Sequence, residues 1–171
     1  MKLPFYTLDV FTNRTFGGNP LAVFPNATHL PSELMQRIAL EMNLSETVFI
    51  GPPETKAGSA RVRIFTPRQE VPFAGHPTVG AAIFLADEID SSDDEIGEQL
   101  FTKPPVQTPT NGELTLVLEE NVGPVPVEVR FEAGVPVFAK FTTALLSEHR
   151  PNPHPISEVA ALIGLEESDI G

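Results

Sequence analysis

A chain of 171 residues with 41% hydrophobic content has room for one domain of ordinary size, or for one domain and part of another, and enough apolar side chains for a real core. Its formal charge is −12 and its 11 Lys and Arg are scattered, so a phosphate backbone meets no basic stripe and nucleic acid is not an expected partner. It contains no cysteine, which excludes disulfides, thiolate nucleophiles, thiolate zinc sites and two-thiol racemisation; chemistry must run on carboxylate, imidazole or hydroxyl.

The chain begins Met1-Lys2-Leu3-Pro4-Phe5-Tyr6, one charge followed by a strand-like run without an apolar signal core. No later stretch is long enough to cross a bilayer, so a cytoplasmic location without a membrane partner is expected. Phe5 to Phe11, rich in β-branched and aromatic residues, predicts a first strand, and Pro20 to Phe24 a second after the Phe16-Gly17-Gly18-Asn19 turn, together a hairpin-like unit. Pro31 stands near a helix start; Leu34, Met35, Ile38, Ala39 and Met42 then recur with helical spacing up to Asn43. Thr47 to Ile50 and Ala60 to Thr66 are strand-like, joined by the turn-rich Gly51-Pro52-Pro53 to Gly58-Ser59 interval.

Pro77 to Ala86 differs from the first helix because Val79, Ala81, Ala82, Ile83, Phe84 and Leu85 leave it no polar face. Such a helix must be wrapped by other elements, and it is expected to be the most buried element of its domain. From Asp87 to Gly112 the composition turns acidic and Pro/Thr-rich, with Ser91-Ser92-Asp93-Asp94-Glu95 and Lys103-Pro104-Pro105, as in an exposed connection. Leu114, Leu116 and Leu118, then Val125, Val127, Val129 and Phe131, alternate on either side of Asn121-Val122-Gly123-Pro124 and predict an antiparallel hairpin, with Pro126 favouring an edge position. Val135 to Thr142 predicts a further strand and Pro155 to Leu165 a short helix.

Two segments carry residues suited to chemistry. Glu46, in Asn43-Leu44-Ser45-Glu46-Thr47, lies at a helix-to-strand junction, where a carboxylate can take a proton from carbon or an amine and return it elsewhere; a plain polar turn is the bland alternative. Gly75-His76-Pro77-Thr78 opens the apolar helix: Gly75 allows close backbone approach, Pro77 suits a first turn, and the free N–H groups attract an anion such as a substrate carboxylate. His76 can donate to that anion or move a proton, or it can be a helix-entry residue with satisfied hydrogen bonds. His29, His149 and His154 lack ligand-like spacing, so no metal site is expected. Arg61, Arg63, Arg68 and Glu70 are expected to form surface ion pairs, and Asp9 to satisfy a turn.

The strings Gly18-Asn19-Pro20-Leu21-Ala22-Val23-Phe24, Glu41-Met42-Asn43-Leu44-Ser45-Glu46-Thr47 and Phe65-Thr66-Pro67…Glu70…Phe73-Ala74-Gly75-His76-Pro77-Thr78-Val79-Gly80 closely resemble the phenazine-biosynthesis PhzF-like family of isomerases, in the same order and at similar separations. The resemblance implies an α+β architecture, the diaminopimelate-epimerase-like fold: two similar domains, each with mainly antiparallel strands around a central helix, and an active site in the cleft between them. It implies proton transfer by Glu46 and a substrate pocket lined by Gly75 and His76 with Asn19 close by; together with the helix-end reading above, the expectation is catalysis by Glu46 and His76 on a small, carboxylated substrate without a cofactor. The lack of cysteine agrees with it.

Members of that family continue into a second domain with an Asp-…-Thr-Gly-Ser-type motif, which this chain does not carry before Gly171. The expected organisation is therefore an N-terminal domain over residues 1–133 and the beginning of a truncated second domain over 134–171. Two functions stand side by side: an isomerase domain incomplete at this length, and a catalytically inactive remnant that serves as a binding or interaction module. Val137, Phe141, Leu145 and Leu162 would lack their usual cover, so marginal stability or self-association into a homo-oligomer is expected.

Overall fold

The computed structural model of the chain describes residues 2–89, 108–143 and 153–170. The acidic stretch Ser91 to Glu95, Lys103-Pro104-Pro105, Leu145 and His149 lie outside the described residues. Eight strands form one mixed sheet: β1 (Tyr6–Val10), β2 (Asn19–Phe24), β3 (Thr47–Gly51), β4 (Ala60–Phe65), β5 (Glu70–Val71), β6 (Gly112–Glu120), β7 (Gly123–Glu132) and β8 (Val135–Phe141). The order is β1-β2-β3-β4-β6-β7-β8, with β5 paired to β4 off the main path. Pairing is parallel between β2 and β3 and between β4 and β6, and antiparallel elsewhere.

Alternation along the strands assigns side chains to two layers. On one face Phe24, Phe49 and Phe65 form an aromatic row, with Phe24 stacked on Phe49 at 5.2 Å and Phe49 edge-on to Phe65 at 5.4 Å. Met35 and Ala39 of helix α1 (Ser32–Met42) cover that row. Asn43 ends α1 in the left-handed region (φ 52°), its N–H bonded to the Ala39 carbonyl. On the other face Val23, Val48, Ile50, Val62, Ile64, Leu116, Leu118, Val127 and Val129 pack around helix α2 (Gly75–Glu88). That helix contacts β1, β2, β3, β6, β7 and β8, so the sheet curls about it as a half-barrel. Close approach depends on Gly80, where a Cβ would stand 2.4 Å from Leu21 Cδ2 and 2.9 Å from Val10 Cγ2.

Two expectations about individual elements need correction. The most buried element is β3, buried at all five residues, because it lies between β2 and β4 with a helix layer on each face. The flank of α2 at Val79 and Ile83 is only half-buried, since it faces the seam between the sheet's end strands, β1 and β8. Pro126 is not on an edge strand, for β7 lies between β6 and β8. It is tolerated because its carbonyl accepts from Thr142 N–H, so the side of Pro126 that lacks an N–H meets β8 where that strand has ended at Phe141.

The β7–β8 turn holds Ala133 and Gly134, both with positive φ, so the expected domain boundary at 133/134 falls between two strands joined antiparallel. Farther on, α3 (Ile156–Leu162) packs on a single 3₁₀ turn, Glu167–Asp169. Val137 and Leu162 are exposed, whereas Phe141 is half-buried edge-on to Phe73 at 5.3 Å.

Candidate active site at the start of α2

The start of α2 gathers residues from three separate segments. Its N-cap is Ala74, extended at φ −154° and ψ 133°, with no side-chain cap bond. A first helical turn leaves its leading N–H groups without intrahelical acceptors, and Pro77 has none to satisfy, so Gly75 and His76 present the donors. Gly75 is held close: a Cβ there would meet the Phe141 ring at 3.3 Å.

His76 points from this turn toward the starts of β2 and β3. Its Nδ1 lies 2.9 Å from Glu46 Oε2 and its Nε2 3.1 Å from the Asn19 carbonyl oxygen. Ser45 Oγ donates to Asn19 Oδ1 at 3.2 Å, tying the two strand starts together. The side chains of His76 and Glu46 are 9% and 22% exposed, so the pair is sheltered while the carboxylate keeps a path to solvent. Phe11, on a left-handed backbone (φ 65°), sets its ring 6.1 Å from the His76 ring.

Hydrogen counting defines what this arrangement can do. A carbonyl oxygen only accepts, so a bond to Asn19 needs a hydrogen on Nε2, while the Glu46 contact needs one on Nδ1 or on the carboxyl; a neutral imidazole carries hydrogen on one nitrogen only. With its hydrogen on Nδ1 the ring donates to the Glu46 carboxylate; with hydrogen on both nitrogens it donates to both partners. Glu46 and His76 thus form a hydrogen-bonded acid–base couple beside a helix N-terminus suited to an anion.

All four residues singled out in the sequence, Asn19, Glu46, Gly75 and His76, lie at this end of α2. Two neighbours escaped notice there, Phe11 and Phe141; both are aromatic residues at strand ends, for which periodicity offers no functional signal. A third, Glu120, also went unread: the alternation of Leu114, Leu116 and Leu118 marks it as inward-facing, but its meeting with Thr78 has no local signal.

Elsewhere the polar groups serve the fold. Arg63 grips Glu70 with two bonds, 2.8 and 2.7 Å, Arg61 pairs with Glu54 and Asn121, and Asp9 accepts the Phe16 N–H at 2.7 Å. Glu70 stays below the usual carboxylate range because Arg63 bonds it. A cavity of about 550 Å³ runs along the β1–β8 seam, lined by Leu8, Val10, Phe11, Val79, Ile83 and Val137 among others. Among the described residues no cluster of three or more His, Asp or Glu could hold a metal ion, and no helix is long and apolar enough to cross a membrane.

Residues 8–145 match the model of the phenazine biosynthesis-like protein family. A protein of Mesorhizobium japonicum called an uncharacterized isomerase is 42% identical over 95% of this chain and 47% of its own length. The trans-2,3-dihydro-3-hydroxyanthranilate isomerase of Pseudomonas aeruginosa is 36% identical over 96% of the chain and 50% of its own. Among solved structures, the Bacillus anthracis phenazine biosynthesis protein of the PhzF family superposes with a TM-score of 0.70 at 27% identity, over 100% of this chain and 50% of that one. The chain therefore spans about half the length of these relatives. With the family match over residues 8–145 and the same fold in a solved member, the chain belongs to the phenazine biosynthesis-like, PhzF, family.

Proposed function

We propose that this chain carries the proton-transfer half of a cofactor-independent isomerase acting on a small carboxylated metabolite. The observation that carries the reading is the Glu46–His76–Asn19 chain, with contacts of 2.9 and 3.1 Å at the start of α2. Glu46 delivers and takes up the proton at substrate carbon. His76 shares that proton and fixes the carboxyl group. The N–H groups of Gly75 and His76 receive the substrate's anionic end, and Asn19 borders the pocket.

In this reading α2 is the central helix of a diaminopimelate-epimerase-like domain, and the chain beyond β8 leads into a second domain that closes the cleft and excludes water. The P. aeruginosa relative's name supplies the compound to try first, trans-2,3-dihydro-3-hydroxyanthranilate. Incubated with it in D₂O, a chain of the relatives' full length bearing this half should incorporate deuterium on isomerisation. The 171-residue chain alone should show little turnover. Incorporation that is unchanged in Glu46→Gln would refute the mechanism.

A second reading is a binding or interaction module without catalysis. It predicts saturable ligand binding by the 171-residue chain and no deuterium incorporation in either length.

A further inference from the structure

Glu120 closes β6 as its last inward-facing residue and is 5% exposed. Its Oε1 lies 2.7 Å from Thr78 Oγ1 on α2, and its Oε2 is buried without a hydrogen-bond partner among the described residues. The same Thr78 hydroxyl lies 2.7 Å from the carbonyl of Ala74, the N-cap of α2, which also receives Thr78 N–H at 3.2 Å.

A hydroxyl has one hydrogen to donate. The Ala74 carbonyl can only accept, so when Thr78 donates to it, the contact with Glu120 is a hydrogen bond only if the glutamate supplies the hydrogen. One hydroxyl hydrogen cannot serve both contacts; with a proton on Glu120 they form a relay in which the carboxyl donates to Thr78 Oγ1 and Thr78 donates to the Ala74 oxygen.

We propose that Glu120 is a positioning residue that works as a neutral carboxylic acid, holding through Thr78 the helix turn that carries Gly75 and His76. Loss of its proton turns the relay round: Thr78 then donates to the carboxylate, the stronger acceptor, and the Ala74 oxygen keeps only the amide bond. The turn loosens next to the active-site pair. His76 lies two residues before Thr78, about 200° around the helix, so Glu120 and Glu46 act on opposite flanks of one turn.

The surroundings favour the neutral form. Burial pushes the Glu120 carboxyl up to about 7, against the pull of the Thr78 hydroxyl and the Arg61 guanidinium. Of the elements beside it, β4 brings Arg61, already bonded to Glu54 and Asn121; α2 brings Thr78; β7 sets Gly123 opposite it, and the nearest carboxylate of that strand, Glu128, pairs with Lys140. Next along β6, Glu119 faces the opposite way, into the Glu54–Thr55 loop.

The consequence for catalysis rests on the proton-transfer reading above; the protonation of Glu120 does not. The test therefore uses no substrate. In the ¹³C/¹⁵N-labelled 171-residue chain, the Glu120 carboxyl carbon should titrate near neutral pH, and the Gly75 and His76 amide resonances should include a component that follows it. Over the same interval hydrogen-exchange protection of the Thr78 amide should fall roughly tenfold beyond the intrinsic pH dependence of exchange. Glu120→Gln keeps a neutral N–H donor for Thr78 and should abolish both the component and the extra fall. Titration of the Glu120 carbon in the ordinary carboxylate range, measurable without any variant, would overturn the proposal. So would a fall in protection, or a Gly75 and His76 component, that persists in Glu120→Gln. Absence of isomerase activity would leave these readouts as they are.

Discussion

The first turn of α2 holds a glutamate on each flank, and the two are put to different uses. Glu46 meets His76 at 2.9 Å, is 22% exposed as a side chain, and has a partner that can share a proton. Glu120 meets a hydroxyl at 2.7 Å, is sealed in the interior, and has one oxygen with no partner among the described residues. In the proposed mechanism the same side chain serves as proton donor and acceptor where it has access and a basic partner. The proposal makes it a neutral structural acid where it has neither. Neighbouring Glu119 offers a further contrast: despite desolvation, bonds from the Thr55 hydroxyl and from the Glu54 and Thr55 N–H groups hold its carboxyl below the usual range.

The largest effect should separate the flanks by function. His76→Ala removes the ring that shares the proton and should slow isomerisation by about 10²-fold or more in a chain of full length, as a lost acid–base partner does, while thermal unfolding of the domain shifts little. A drop in stability large enough to explain the lost rate would erase the distinction drawn here.

The next effect is one of pH and stability. Glu120 keeps its proton in the fold up to about 7, whereas an unfolded chain releases it near the ordinary glutamate value. Between those values the folded state binds more protons, so stability conferred by the neutral acid is complete below about 4.5 and declines as pH rises toward 7, by on the order of 3 kcal/mol in total. Denaturant midpoints of Glu120→Gln against the parent should lack that decline. Glu119 has the opposite sign, its contribution present at neutral pH and lost on acidification, so Glu119→Gln should flatten the acid limb instead.

Smaller effects test the packing that sets the turn in place. Gly80→Ala places a methyl 2.4 Å from Leu21 Cδ2 and should cost about 1–3 kcal/mol by overpacking, read as a lower thermal midpoint. Gly75→Ala meets the Phe141 ring at 3.3 Å, a contact the ring can yield to, so about 1 kcal/mol or less is expected, with a larger effect on ligand affinity than on stability.

The candidate site was largely legible in the sequence because its parts sit at element junctions with local signatures. Asn43 terminates α1 in the left-handed region just ahead of Glu46, and Pro77 marks the first turn that Gly75 and His76 open. Strand and helix positions followed from alternation and helical spacing. What stayed hidden depends on long-range packing: α2 against β6 brings Thr78 to Glu120 across 42 residues of sequence, and no local pattern announces that approach. Pro126 misled for the same reason, since its tolerance comes from where β8 stops rather than from β7 being at an edge. The burial of α2 was overestimated because an apolar helix need only be covered, and the β1–β8 seam covers one flank with a cavity.

The central claim is that Glu46 moves the proton. It is tested most directly by counting deuterium in product formed in D₂O from trans-2,3-dihydro-3-hydroxyanthranilate, with a full-length chain bearing this half and its Glu46→Gln variant at matched substrate occupancy. The account predicts incorporation at the isomerised carbon by the parent and at least a ~10²-fold loss in the variant, with binding retained. Equal incorporation by both would contradict it.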